Sequence, residues 1–299
     1  MKTAFIQLHI AIFLAGLTAI LGRLIDLNEG MLVWYRMLFT CIVLWLMHYF
    51  AKDKATVSAD QRIRIYAVGA IVALHWVTFY GSIKYANVSI ALICFSSIGF
   101  FTALMEPLLT RRRIHATELL LGLLTVAGIA IIFHFDAQYK TGIIIGLISA
   151  VLASLFPIMN RKLLQQNDAS TITREEMTGG FLALTVLLPF YLWLFPAGNY
   201  AASVQDIGWL LVLSLLCTVL AFNLSMRALR HISAFTVNLS FNLEPVYGII
   251  LAFLIFREDK FLSGSFYIGF ALIVLSVLLQ TLLVLHKRRY ATSKPVTQT

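Results

Sequence analysis

Ten apolar stretches run along this chain, and its basic residues fall almost entirely in alternate gaps between them. Let each stretch span a bilayer, with Met1 in the cytoplasm. The cytoplasmic side then receives Lys2; Lys52, Lys54, Arg62 and Arg64; Arg111, Arg112 and Arg113; Arg161, Lys162 and Arg174; Arg227 and Arg230; and Lys287, Arg288, Arg289 and Lys294. These are 17 of the 23 lysines and arginines; Arg23, Lys84, Lys140, Arg257 and Lys260 fall on the other side, and Arg36 lies inside a span. Such sorting is the positive-inside bias of short loops, and it predicts both the number of spans and an orientation with N and C termini cytoplasmic. A soluble fold has no reason to sort its charges by the parity of a gap.

The composition agrees. The chain is 60% hydrophobic and only 12% charged, with a mean hydropathy of +0.86, whereas a soluble domain carries about 25% charged residues. The net charge of +9 is strung over short loops, which fits attraction to anionic membrane lipids rather than to nucleic acid. Cys41, Cys94 and Cys217 lie inside apolar spans without CxxC spacing and read as small buried hydrophobes; no metal or cofactor is expected. The apolar run after Lys2 continues to Leu21, so it reads as a first span and not a signal peptide.

The predicted spans are Phe5 to Leu21, Met31 to Phe50, Ile65 to Ile83, Val88 to Leu109 and Leu119 to Phe135, then Gly142 to Met159, Phe181 to Phe195, Ile207 to Met226, Ala234 to Phe256 and Gly264 to Leu285. Most have the roughly 17 to 25 residues that a transmembrane helix needs, and helix is the form that satisfies backbone groups in lipid within one segment. The expected fold is all-α, a polytopic membrane protein. The longest cytoplasmic connections, Ala51 to Arg64 and Asn160 to Gly180, are polar and have room for at most a surface helix. Residues 291–299 read as a disordered cytoplasmic tail. No GxxxxGK[ST] motif is present, so ATP-driven pumping by this chain alone is not expected.

The two halves echo each other. Residues 79–91 read FYGSIKYANVSIA and residues 222–234 read FNLSMRALRHISA, each ending an apolar helix with Ser and a basic residue before a Ser-containing turn. The repeat units are 1–139 and 140–290, five spans each. Because five is odd, the second unit enters the membrane from the opposite face, which makes two inverted five-helix repeats, a common plan of secondary transporters.

The segment from Asn242, NLEPVYGIILAFLIFRE, resembles the Glu-Pro-Val signature of the EamA branch of the drug/metabolite transporter superfamily, with Arg257-Glu258 where Gly-Glu is usual. In the first repeat Arg112-Arg113 stands where that Gly-Glu is expected. Arg36 and the segment Asn160-Arg161-Lys162-Leu163 match further features of the branch. The resemblance covers residues 5–286. It implies a proton- or gradient-coupled carrier of amino acids or related metabolites, often an exporter, with a central cavity shared by both repeats.

Ionisable groups inside spans mark the candidate site, since each is costly in lipid. Glu244 lies near the middle of the ninth span with Pro245 beside it, which predicts a carboxylate next to a kinked backbone and a site for an ammonium or a proton; a structural carboxylate is the alternative. Arg36 reads either as a snorkelling structural group or as a carboxylate ligand, and Lys84 has a similar escape to water. His75, near the middle of its span with Trp76 beside it and Tyr80 and Phe79 on much of one face, reads as a satisfied core imidazole or a proton-sensing group. Asn223 is the second-repeat counterpart of Tyr80, and Tyr247 follows Glu244 by three residues. Glu106 is expected to pair with Arg111, Arg112 or Arg113. Gly142 and Gly146 permit close helix approach within a monomer or across a homodimer.

The expected function is therefore secondary transport of a small-molecule substrate such as an amino acid, with the proton as coupling ion and lipid as surroundings. Import, or a lipid-modifying membrane enzyme, are the competing readings; clustered catalytic groups at an interface are missing for the latter. A reporter fused after Arg289 should be active only if it works in the cytoplasm, and one inserted at Asn199 only if it works outside; the reverse pattern refutes the orientation.

Overall fold

The computed structural model describes residues 2–51, 57–111, 116–229, 240–241 and 243–293. The described elements are helical throughout. They comprise α1 (Lys2–Leu24), α2 (Glu29–Phe50), α3 (Ala59–Tyr85), α4 (Val88–Phe95), α5 (Ile98–Thr110), α6 (Ala116–Phe135), α7 (Lys140–Leu163), α8 (Ala169–Leu194), α9 (Val204–Ser214) and α10 (Ala221–Leu229). The chain ends with α11 (Glu244–Phe256) and α12 (Gly264–Ser293). Helices α4 and α5 form one broken span, and a π-helical segment, Leu215–Leu220, joins α9 to α10 in another. Seven of the resulting spans are long and apolar enough to cross a membrane, and three shorter apolar helices, Leu119–His134, Glu244–Phe256 and Gly264–Leu279, accompany them. The protein is a polytopic helical membrane protein.

The packing carries the repeat. Helix α3 of the first half packs on α7 and α8 of the second; reciprocally, the α9–α10 span packs on α1 and α2. The α4–α5 span packs on α7, as α11 packs on α1. Helix α2 meets α8, α4 meets α11 and α6 meets α12. Exchanging spans one to five for six to ten turns each of these contacts into another, as a pseudo-twofold relation requires. Tight crossings hold the pairs together: a Cβ on Gly69 would collide with the backbone of Glu176 and Gly180, and one on Gly128 would lie 2.6 Å from the Gly269 carbonyl. Gly142 and Gly146 abut Ala86, Ser82 and Cys94, so both are used inside the chain.

Helix ends repeat as well. Helices α5 and α11 are each 13 residues long and each closes on a left-handed arginine, Arg111 and Arg257, both with φ 55°. That conformation is the helix stop that glycine adopts at least cost. The first-repeat counterpart of Arg257-Glu258 is thus Arg111-Arg112, one residue earlier than the expected Arg112-Arg113; both of those lie outside the described residues. Glu258 is buried and accepts from the Val88 and Ser89 amides and the Ser89 hydroxyl at 3.0, 2.8 and 2.6 Å. It caps α4, with Asn87 capping the next amide.

Several expectations need correction. The stretch from Asn160 to Gly180 is largely helix: α8 starts at Ala169, capped by Asp168, twelve residues before the expected Phe181. Its Arg174, Glu175 and Glu176 are buried, which a hydropathy scan reads as loop because it does not see their pairing. Helix α3 likewise starts at Ala59 rather than Ile65. Pro245 does not kink a continuous helix. It sits in the first turn of α11, where a missing amide leaves no bond unmade. Residues 234–239 of the ninth span lie outside the described residues. The last helix runs to Ser293, three residues into the expected tail, and residues 294–299 also lie outside the description. Glu106 pairs with Arg161 at 3.0 Å; Arg112 and Arg113, two of its expected partners, lie outside the described residues.

Replacing Glu258 by Ala should lower stability by about 2 kcal/mol, since hydrogen bonds to a charged group contribute about 1.5–3 kcal/mol. Thermal unfolding of the detergent-solubilised protein measures this, and Arg257→Gly should shift it the opposite way.

Candidate functional site

The bundle interior is organised around Arg36. It lies on α2 with 4% of its surface exposed, so it does not snorkel. Its guanidinium stacks 3.6 Å from the centroid of the Trp76 ring. Nη1 donates to Tyr80 Oη at 2.8 Å, while Nε and Nη2 donate to Thr218 Oγ1 at 3.3 and 3.0 Å. The Arg36 carbonyl accepts from Thr40 Oγ1 and Ser214 Oγ. Among the described residues no carboxylate lies within ion-pair distance of the guanidinium. A buried cation without a counter-charge is costly in hydrocarbon, and the face of Trp76 offsets only part of that cost.

The π segment places Thr218. Its hydroxyl donates back to the Leu213 carbonyl, five residues earlier, at 3.0 Å, and receives the guanidinium on its lone pairs. Widened turns of this kind recur at functional sites. Thr40, Ser214 and Thr218 are residues that sequence reasoning missed; their signal was three hydroxyls within otherwise apolar stretches of α2 and the eighth span.

A cavity of about 420 Å³ begins at Thr218 and Asn223 and runs between α2, the start of α8 and the α9–α10 span to Ala51. From Thr40 to Ala51 it extends roughly 16 Å along α2, at the helical rise per residue. Leu44 and Phe222 supply apolar walls, and Asp168 and Arg174 border the far end.

The predicted site residues separate into groups. Arg36, Trp76 and Tyr80 form one cluster, with Tyr80 fully buried and its ring against Gly22. Asn223 lines the cavity, its amide donating to the Val219 carbonyl. Glu244 opens α11, where α1 comes so close that a Cβ on Gly16 would lie 3.1 Å from the Glu244 carbonyl. His75 stands apart: it is buried, its Nδ1 meets Ser149 Oγ at 2.8 Å, and Phe79, Phe95 and Phe156 surround the ring. Tyr247 faces α1 instead, with its hydroxyl 3.5 Å from His9 Nδ1 and Phe13 edge-on. Lys84 lies at the opposite end of the bundle from Ala51, in the field of Glu29, Asp26 and Asp206.

That opposite end is closed by bonds between the repeats. The Asn28 amide donates to the Asn199 carbonyl at 2.7 Å, and its side chain donates to the Ala197 carbonyl at 2.8 Å. The Asp26 amide donates to Asp206 at 2.8 Å, and Tyr191 donates to Glu29 at 2.6 Å.

The sequence model of the EamA-like transporter family matches this chain twice, over residues 2–134 and 140–282. The chain belongs to that family. An uncharacterized transporter of Archaeoglobus fulgidus is 24% identical over 241 residues, covering 78% of this chain and 81% of its own. The uncharacterized transporter YetK of Bacillus subtilis is 26% identical over 272 residues, covering 85% and 80%. A protein of known crystal structure shares the fold with a TM-score of 0.61 at 17% identity, covering 95% of this chain and 98% of its own. This EamA protein is a membrane transporter and not an enzyme. Arg36→Gln should change stability by no more than about 2 kcal/mol, since only uncharged partners are left without a bond; thermal unfolding measures this.

Proposed function

We propose that the protein is a secondary carrier exporting small zwitterionic metabolites, amino acids or related amines, across the inner membrane of a bacterium by proton-coupled alternating access. The observation that carries this reading is the pair Arg36 and Glu244: a buried guanidinium with no carboxylate within ion-pair distance, and a glutamate opening α11 that forms no ion pair among the described residues. A zwitterion supplies what each lacks. Its carboxylate accepts from the guanidinium beside Thr218, and its ammonium meets the Glu244 carboxylate. Lys84 and His75 have no part in this arrangement, and Asn223 serves as a wall of the approach.

The open cavity on one side and the hydrogen-bonded closure on the other support an alternating-access state with its cavity facing the Ala51 end, which the charge bias assigns to the cytoplasm. Rocking one repeat against the other would exchange the open end. Substrate shifts that equilibrium only through unequal affinity for the two states. A proton on Glu244 removes the charge that holds an ammonium, so proton entry and substrate release exclude one another. That exclusion is the minimum for antiport.

The test is counterflow and pH-driven flux by purified protein in sealed liposomes, with amino acids and primary amines as solutes. Wild type should move amino acids against an imposed proton gradient. Glu244→Gln, nearly the same in shape, should insert and fold yet lose gradient-driven flux at least tenfold. Unchanged rate and unchanged pH dependence in that variant would remove Glu244 from the mechanism. Accumulation down rather than against the proton gradient would favour import.

A further inference from the structure

The mouth of the cavity holds a second pair of opposite charges. Arg174 borders it with 5% of its surface exposed. Its Nη2 donates to Glu175 Oε1 at 3.0 Å, but Nε has no hydrogen-bond partner among the described residues. Glu175 does not neutralise it alone, because the other carboxylate oxygen lies 3.4 Å from Arg62 Nε. One carboxylate is thus shared between two guanidiniums, and Arg174 keeps both an unspent charge and an unspent donor. A buried N–H left unmade costs about 1–3 kcal/mol, more for a charged group, so Arg174 is held here at a cost.

Asp168 borders the same space. It caps α8, accepting from the Thr171 amide at 2.9 Å, and forms no ion pair with Arg174 among the described residues. Burial pushes its carboxyl up, yet the hydrogen bonds from Thr171 and the field of Arg174 outweigh that and hold it below the usual carboxylate range. It is therefore ionised at neutral pH. The hydroxyls of Ser170, Thr171 and Thr173 complete this rim, and Trp45 lies with its ring centroid 4.9 Å from the Arg174 guanidinium.

We infer that Arg174 and Asp168 form a vestibule subsite for a small zwitterion, its carboxylate on the Arg174 guanidinium and its ammonium on Asp168. The subsite rests on the zwitterion reading given above and extends it. The mouth repeats the charge pairing of the interior, so a solute keeps one orientation as it passes from Arg174, at the level of Trp45, to Arg36, roughly 13 Å along α2. A lone anion satisfies Arg174 but is opposed by Asp168, and a lone amine suffers the converse. Selection for the doubly charged form thus begins before the interior is reached.

Trp45 makes the subsite observable in the full-length purified protein. An equimolar mixture of common amino acids is titrated while tryptophan emission is followed. Acetate to butyrate and the matching primary amines serve as half-ligand controls. The amino acids should give a saturable change that Trp45→Phe removes and Trp76→Phe leaves. Arg174→Gln should abolish it; Arg174→Lys, which keeps a cation beside Glu175 should the former fail to fold, should weaken it at least fivefold. Asp168→Asn should weaken amino acids fivefold while short carboxylates bind no worse. Arg36→Gln should leave the Trp45 change intact, so loss of the inner site and loss of this one are read separately. No Trp45 response, a response indifferent to Arg174→Lys, or a response produced by phosphatidylglycerol nanodiscs without amino acids would overturn the subsite, the last by identifying a lipid phosphate as the occupant.

Discussion

Lipid offers no hydrogen bonds, so every interruption of a helix in this bundle has to be answered from within the protein. Where α4 gives way to α5, Ser96 and Ser97 return hydroxyls to the Leu92 and Cys94 carbonyls. The exposed amides at the start of α4 are met by a carboxylate from the other repeat, Glu258. In the eighth span the π turn spends the Thr218 hydroxyl on a carbonyl, and the same oxygen then holds Arg36. The irregular backbone thus lies where charged side chains are placed. Arg36 and Glu258 are each tied to a local departure from regular helix.

The same accounting explains what was legible beforehand. Apolar length and the parity of basic residues expose the spans, because both are set by the bilayer rather than by neighbours. The start of α8 was hidden, because Arg174, Glu175 and Glu176 look like loop until Arg62 and Asn160 are seen beside them. Arg36 was recognised as unusual but placed too near water, since its distance from a span end says nothing of the Trp76 face that receives it. His75 was grouped with Phe79 and Tyr80, and Tyr247 with Glu244, by helical spacing within one chain segment. Which neighbour each would face depends on crossings such as Gly16 with α11, which one sequence does not display.

Closure of one end and opening of the other use different chemistry. The closed end relies on backbone carbonyls and short side chains, Asn28, Asp26 and Asp206, that join the repeats directly. The open end has hydroxyls and separated charges facing a cavity. Bonds of the first kind are individually modest and readily exchanged with water, which suits a seal that must break in each cycle. Tight glycine crossings such as Gly69 with Gly180 are suited to the opposite task, holding an element as a rigid body while others tilt.

The matching arginine stops of α5 and α11 act as a ruler. Counted back from Arg111 and Arg257, the residue that begins each 13-residue half-helix is Ile98 in one repeat and Glu244 in the other. Two positions equivalent by internal symmetry therefore carry a hydrocarbon and a carboxylate. A carrier whose halves were identical would have two open forms of equal energy, each the image of the other. Here the two halves carry different groups at that position, so no such equality follows from the symmetry. The scaffold is symmetric while the charge it carries is not.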